Sequence, residues 1–171
     1  MGLRDGRRGG PSRKFQMREK MFAVGDDYWI EDEQGQRVFR VNGKALRMRQ
    51  TFVLEDASGT ELATIREKKL AIRDTMKIEI GEQEAKMHKR ALGIRDRFIV
   101  ELEDDDDYSA KGNFVDHEYE IERDGSKVAE VSKKWFRLRD TYGVEVFGEQ
   151  DLPMILAITV CIDSLSHDRV G

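Results

Sequence analysis

The fold of this protein is decided by the segment from Asp151 to Asp163, DLPMILAITVCID, which is apolar on nearly every helical face. A helix that is hydrophobic all round must be enclosed by protein or by lipid. The apolar stretch from Leu152 to Ile162 is shorter than the roughly 20 residues that span a bilayer. Asp151 suits the N-cap position, and Pro153 suits the first turn. The segment therefore predicts a helix that the rest of the chain surrounds.

Short segments in which apolar and charged residues alternate precede this helix. Residues 76–80 and 118–122 both show this pattern. A period of two residues is typical of antiparallel strands with one buried face, and the Asp-Gly pair at 124–125 is a hairpin signal. We therefore expect a mainly β protein in which a closed or nearly closed antiparallel barrel surrounds the helix, because closure leaves no exposed sheet edge.

The strand region contains an internal repeat. Residues 52–76 and 119–142 share one pattern, in which Lys68-Lys69 corresponds to Lys133-Lys134 and, with a shift of one residue, Arg73-Asp74-Thr75 corresponds to Arg139-Asp140-Thr141. Two such strand–turn–strand–strand modules would supply two halves of a barrel.

Several polar residues have alternative interpretations. The helical stripe of Thr159, Asp163 and Ser166 is expected to face an opening. His117 is expected to be solvated or hydrogen-bonded rather than bound to a metal, because its neighbours in a strand point to the opposite face.

The acidic run at 101–107 does not match a calcium-binding loop, so we interpret it as a solvated connection, with weak cation binding as the alternative. Packing on the barrel wall is expected for the Trp135-Phe136 pair, with an exposed membrane-contacting rim as the alternative.

The 171 residues suggest one domain, expected at residues 15–168, and the charge of the chain is uneven. The first 20 residues contain seven Lys/Arg and two Asp/Glu within a chain of net charge −4. Residues 1–14 are therefore expected to be a basic, disordered leader. Cys161 is the single cysteine, which excludes an intrachain disulfide, and no signal peptide is recognisable, so a cytoplasmic location is expected.

The order of several short motifs resembles the LURP-one-related family, which belongs with the Tubby C-terminal-like and phospholipid-scramblase-like proteins. The motifs are KGNF at 111–114, YEI at 119–121, VAEVSKK at 128–134, YGVEV at 142–146 and the helix that ends in Ile162-Asp163. The resemblance covers roughly residues 15–166. It implies a Tubby-like closed antiparallel barrel of about twelve strands around a central hydrophobic helix. Many members lack a defined activity, and the Tubby branch binds phosphoinositide head groups.

Basic residues at equivalent places in the two repeats are the candidate ligand-binding site. If the two modules lie side by side, these residues would converge on a surface for an anionic lipid head group or a phosphorylated ligand, because Lys and Arg bind phosphate by charge-assisted hydrogen bonds. The alternative is that Glu67, Asp74 and Asp140 neutralise them in cross-strand pairs. The predicted site residues are Lys68, Lys69, Arg73, Lys133, Lys134, Arg137 and Arg139.

The function expected from the sequence is non-enzymatic binding, with no cofactor, no metal and no catalytic group. The protein would be peripheral at the membrane rather than transmembrane. Its overall acidity disfavours nucleic acid as a partner. A protein-interaction scaffold without a small ligand is the alternative. Lipid translocation, suggested by the scramblase branch, ranks last because the helix would have to leave the core at the cost of its buried apolar surface.

Overall fold

The described part of the chain forms twelve strands and one long helix. The structure is a computed structural model, and it describes residues 11–18, 28–42, 51–69, 74–92, 95–136 and 140–167. The strands are β1 (Arg13–Arg18), β2 (Tyr28–Glu31), β3 (Arg37–Asn42), β4 (Thr51–Asp56), β5 (Glu61–Lys69), β6 (Asp74–Ile80), β7 (Gln83–Leu92), β8 (Arg95–Leu102), β9 (Tyr108–Asn113), β10 (Glu118–Arg123), β11 (Ser126–Ser132) and β12 (Thr141–Val146). Helix α1 (Leu152–His167) follows them.

All twelve strands belong to one closed antiparallel barrel, as the sequence predicted. Each strand pairs with its neighbours along the chain, and β1 closes the ring by pairing with both β2 and β12. The β1–β12 pairing places Phe15 opposite Val144. Because β1 begins at Arg13, both Arg13 and Lys14 of the expected leader are part of the barrel wall. Pro11 and Ser12 precede the strand and are exposed, and residues 1–10 of that leader lie outside the described residues.

Helix α1 fills the barrel, which confirms the prediction for the apolar segment. Asp151 caps its first turn, since the backbone N–H of Met154 donates to Asp151 Oδ1 at 3.1 Å. Every residue from Met154 to Leu165 is buried. The inward-facing residues of the strands, among them Phe52, Ile78 and Val144, form one core with the helix.

The antiparallel order gives the barrel two distinct ends. All odd-numbered strands run in one direction and all even-numbered strands in the other. The end that follows the even-numbered strands is where α1 begins, and we call it the acidic end. The opposite end, which follows the odd-numbered strands, is where α1 ends, and we call it the basic end.

The names of the two ends describe their charge. The six connections at the acidic end contain eleven Asp/Glu and no Lys/Arg. Near the basic end, the described residues include the exposed cations Arg90, Arg97, Lys111, Lys133 and Lys134. Within the described part of the chain, the connections at the acidic end thus contain carboxylates without a cation, whereas exposed cations lie at or next to the basic end.

The outer wall near the basic end is covered by an aromatic pair. Trp135 and Phe136 are half-buried, and a Cβ at Gly143 of β12 would come within 2.6 Å of the Trp135 ring and 2.8 Å of the Phe136 ring. The ammonium group of Lys14 lies 5.4 Å from the centre of the Trp135 ring. This pair packs on the barrel wall, as the sequence predicted, and Gly143 is needed because the two rings lie so close to the backbone.

Candidate functional site: a groove at the basic end

A groove of about 810 Å³ opens at the basic end of the barrel, between the end of α1 and the strands β7 to β11. Leu165 and Ser166 contribute from the helix. The strands and the β9–β10 connection contribute the other lining residues, which are Lys89, Arg97, Lys111, Gly112, Asn113, Phe114, Val115, Glu118, Tyr119, Glu120, Glu130 and Val131. The groove therefore brings three basic and three acidic side chains together.

A row of cations forms one wall of the groove and extends beyond it. Arg90 of β7 is paired with Arg97 of β8, and Arg97 is paired with Lys111 of β9. Their neighbours Phe98 and Ala110 are buried, so by the alternation of a strand the three cations face outward. Like charges directly opposite each other on neighbouring strands are destabilising. Such an arrangement favours the binding of an anion.

A row of carboxylates forms the other wall. Lys111 is paired in register with Glu120 of β10, and Glu120 is paired with Glu130 of β11. Both glutamates contact the same cation, since Lys127 Nζ lies 3.3 Å from Glu120 Oε1 and 2.9 Å from Glu130 Oε2. Their hydrogen bonds raise the pKa of Lys127. The charge of the side chains along this row therefore changes from positive to negative between β9 and β10.

Glu118 connects the carboxylate wall to the next connection of the barrel. Its Oε1 accepts hydrogen bonds from Ser132 Oγ at 2.9 Å and from the backbone N–H of Lys133 at 3.2 Å. Ser132 Oγ in turn accepts one from the backbone N–H of Lys134. These bonds fix the start of the β11–β12 connection, where Lys133 and Lys134 are exposed.

A buried histidine–aspartate pair lies behind the groove. His117 Nε2, in the β9–β10 connection, is 2.8 Å from Asp163 Oδ1 of α1, and each residue is 1% exposed. The His117 ring stacks on Tyr142 of β12, with centroids 4.3 Å apart. This confirms a hydrogen-bonded His117. The pair connects one wall of the groove to the helix.

Of the three polar residues on one stripe of α1 that were expected to face an opening, only Ser166 does so. Ser166 lines the groove, but Thr159 is fully buried and Asp163 is almost fully buried. Thr159 Oγ1 donates to the backbone oxygen of Leu156 at 2.7 Å, and Asp163 bonds His117. Both polar groups are therefore buried with a hydrogen-bond partner, which Thr159 finds within the helix and Asp163 finds in the β9–β10 connection.

Tyr119 adds a buried hydroxyl beside the groove. Its side chain is 3% exposed, and its Oη has no hydrogen-bond partner among the residues that the structure describes. Burial raises the pKa of Tyr119 well above its ordinary value. The hydroxyl therefore stays protonated and remains a hydrogen-bond donor.

The predicted basic residues are distributed around the barrel rather than placed on neighbouring strands. Lys68 and Lys69 end β5, whereas Lys133 and Lys134 follow β11, and these two strands are six positions apart in a ring of twelve. The two Lys-Lys pairs thus share the basic end but belong to opposite sides of it. The side chains of Lys68 and Lys69 lie outside the described part of the structure, as do three further predicted site residues, Arg73, Arg137 and Arg139. Their role in binding stays a prediction.

The acidic run between β8 and β9 is an exposed connection, as the sequence predicted. Residues 103–107 are all exposed. Arg123 pairs with Asp105 at 2.5 Å, and the pKa of Asp105 is lowered first by the backbone N–H of Asp106 and then by Arg123. Within the described ranges, no group of His, Cys, Asp or Glu is arranged to hold a metal ion.

Sequence reasoning missed the groove because its charged residues come from separate strands. In the sequence, each of them looks like an ordinary outward-facing strand residue; they are Arg97, Lys111, Glu120 and Glu130. Only the register, which pairs Arg97 with Lys111 and Lys111 with Glu120, places them in one row. The KGNF and VAEVSKK motifs contain Lys111 and Glu130, but nothing in the sequence indicated that these residues meet.

We predict that Gly112→Ala destabilises the groove wall. Gly112 has φ of +139°, and a Cβ there would lie 2.6 Å from the Glu118 carbonyl oxygen and 2.7 Å from Tyr119 Cα. The variant should lose about 2 kcal/mol or more in a urea unfolding experiment, because both the backbone conformation and the contact oppose a side chain. Gly125→Ala is the matched control, since Gly125 also has positive φ but no atom within 4 Å of the added Cβ. An equal loss in both variants would show that the close contact contributes nothing.

Comparison with known proteins agrees with the barrel. A family model described as LURP-one-related matches residues 13–163, which is most of the chain. The chain belongs to the LURP-one-related family. The match begins at the first residue of β1 and ends at Asp163, the helical partner of His117, so it includes every strand of the barrel.

One relative agrees with this assignment, and one solved structure shares the fold. The LURP-one-related chain is 25% identical over 154 residues to the uncharacterized protein YxjI of Bacillus subtilis (strain 168), covering 89% of this chain and 93% of YxjI. An X-ray structure of a protein from Arabidopsis thaliana superposes with a TM-score of 0.61 at 17% identity, covering 91% of this chain and 92% of that one. The second likeness concerns the fold alone. In the part of the chain that the structure describes, no helix is both long and apolar enough to cross a membrane.

Proposed function

We propose that this LURP-one-related protein is a non-enzymatic binding protein that recognises a phosphate-bearing anionic ligand at the basic end of its barrel. The observation that carries the proposal is the outward row of Arg90, Arg97 and Lys111, in which three like charges lie opposite one another on adjacent strands. An anion placed on this row would relieve the repulsion and accept charge-assisted hydrogen bonds. Arg97 and Lys111 also line the groove.

The balance of ion pairs supports an anionic ligand on this row. Lys111 Nζ is 2.6 Å from Glu122 Oε1. Arg90 and Arg97 are exposed and make no ion pair with a described carboxylate. The row therefore retains positive charge after its internal pairing, and guanidinium groups suit phosphate oxygens because their donors form a planar fork.

The different charges of the two ends support a defined orientation toward an anionic surface. Eleven carboxylates at the acidic end would be repelled by such a surface, while the exposed Arg90, Arg97, Lys133 and Lys134 at the opposite end would be attracted. The groove and the exposed Lys133 and Lys134 would then face the surface together. A lipid head group in an anionic membrane is thus a suitable source of the phosphate, and peripheral binding requires no membrane-spanning helix.

Vesicle binding tests the proposal. We expect the protein to co-sediment with phosphatidylserine-containing vesicles in preference to phosphatidylcholine vesicles, with binding that weakens as salt shortens the Debye length from about 10 Å at 0.1 M toward 3 Å at 1 M. The double variant Arg90→Gln/Arg97→Gln should bind at least about tenfold more weakly, as removal of two charge-assisted contacts implies. Separately, alanine at Lys68, Lys69, Lys133 and Lys134 tests the residues predicted from the sequence.

A matched control removes two charges elsewhere. Arg66 and Lys86 are outward-facing, exposed residues of β5 and β7 that do not line the groove. The variant Arg66→Gln/Lys86→Gln has the same net charge as the test variant, so it should retain most of the binding. If both double variants lost vesicle binding equally, the loss would follow from net charge alone and would contradict a specific site. Unchanged binding in the Arg90/Arg97 variant would contradict the proposed row.

A further inference from the structure

We infer that the groove selects a zwitterion, with a phosphate against Arg97 and Lys111 and an ammonium group against Glu120 and Glu130. This inference rests on the proposed function and narrows its ligand class. It follows from the outward row Arg97–Lys111–Glu120–Glu130, in which the sign of the charge changes once, between β9 and β10.

Each wall keeps one charge that its neighbours do not neutralise. On the cationic wall, Lys111 pairs with Glu122, while Arg97 has no ion pair among the described residues. On the other wall, the single ammonium group of Lys127 lies between Glu120 and Glu130, so two carboxylates share one positive charge. The row thus presents a surplus cation on β8 and a surplus carboxylate on β10 or β11.

Glu118 strengthens the carboxylate side. The two hydrogen bonds that it accepts come from Ser132 Oγ and from the backbone N–H of Lys133, which are neutral donors. They stabilise the ionised carboxylate without cancelling its charge. An ammonium group on the ligand would supply the missing positive charge and three N–H donors.

The spacing of the two walls suits a small head group. Neighbouring strands lie about 4.8 Å apart, so Arg97, the cation without an ion pair, is two strand spacings from Glu120 at the backbone, with Lys111 between them. A phosphate held between Arg97 and Lys111 is therefore one to two spacings from Glu120, and a phosphate and an ammonium joined by a two-carbon linker, as in phosphoethanolamine, suit this distance when the long side chains lean toward the ligand. A ligand that carries only an anion would be attracted to Arg97 and repelled by the glutamates of the facing wall.

Two soluble phosphodiesters test this selectivity by isothermal titration calorimetry. Glycerophosphoethanolamine and glycerophosphoglycerol carry the same phosphodiester charge, and only the first carries an ammonium group. We expect the wild-type protein to bind glycerophosphoethanolamine at least about tenfold more tightly, as a charge-assisted contact to a carboxylate implies. The variant Glu120→Gln/Glu130→Gln should lose this preference while it retains the phosphodiester contact. Arg97→Gln should weaken the binding of both ligands.

A vesicle arm distinguishes a membrane lipid from a free small molecule. Vesicles of phosphatidylcholine with and without phosphatidylethanolamine have the same net charge, so nonspecific attraction is constant. Stronger binding to the phosphatidylethanolamine vesicles, lost in Glu120→Gln/Glu130→Gln, supports the inference with a lipid as the source. A preference seen only with the soluble ligands supports it with a small molecule as the source. No preference in either arm overturns it, and in that case binding of anionic vesicles through Arg90 and Arg97 would still stand as a separate result.

Discussion

Replacement of His117 by alanine is expected to lower the free energy of unfolding by about 3 kcal/mol, because it breaks a buried hydrogen bond and removes a packed ring. The Asp163 side chain is 1% exposed and would lose its 2.8 Å hydrogen bond with His117. The Tyr142 ring would lose its stacking partner. Urea denaturation followed by circular dichroism measures the change.

Two further variants distinguish the contribution of the His117–Asp163 hydrogen bond from that of the backbone conformation at His117. His117 has φ of +51°, a conformation that asparagine tolerates better than alanine. His117→Asn should therefore lose less stability than His117→Ala. The double variant His117→Leu/Asp163→Leu should recover part of the stability lost in His117→Ala, since an apolar pair leaves no buried polar group while leucine keeps the backbone strain at φ of +51°. A loss of less than about 1 kcal/mol in His117→Ala, which is typical of exposed sites, would show that the pair is not an important link between groove and helix.

Cys161 should be almost inert toward thiol reagents in the folded protein. It lies in α1 with no exposed surface, and burial raises the pKa of its thiol far above the ordinary range. The thiolate is the reactive form, so labelling requires opening of the barrel. With a typical domain stability, labelling should be slower than in denaturant by at least roughly 10³-fold. Maleimide labelling followed by mass spectrometry measures the ratio.

The same cysteine reports whether the helix ever leaves the barrel. We expect protection to persist when the protein binds anionic vesicles, because the proposed binding uses only the outer rim. A Ser58→Cys variant in a Cys161→Ala background is the control, since Ser58 lies in an exposed turn and should label at once in both conditions. Vesicle-induced labelling of Cys161 would contradict a rigid barrel and revive lipid translocation as a function.

Local signals made the central helix predictable. Its apolar composition, the Asp151 cap and Pro153 are all read from neighbouring residues, and the structure confirms the helix and its cap. The strands were also predictable in kind, because alternation within one strand shows which face is buried. The repeat at 52–76 and 119–142 corresponds to β4–β6 and β10–β12. The repeat could not predict the order of the strands around the barrel, which separates those two units by half of the ring.

The candidate site depended on contacts between residues far apart in the chain. His117 and Asp163 are 46 residues apart, and the sequence offered no sign that one would bond the other. Without that partner, Asp163 was expected to face an opening. The row from Arg97 to Glu130 likewise depends on the register of four strands, and a shift of one residue in any pairing would turn a side chain to the other face. The basic residues of the repeats were visible only because they form a local sequence pattern.

The position of the helix has a consequence for how the protein is made. Helix α1 follows all twelve strands in the chain, yet it supplies the centre of the core, and the ring closes only when β1 pairs with β12. During synthesis the strands therefore emerge before the element that covers their apolar faces. Long-range pairings of this kind form slowly, and uncovered strands are prone to aggregate. Cooperative folding of this barrel thus has to wait for its last element, and shielding of the nascent strands would determine how much of the protein reaches the folded state.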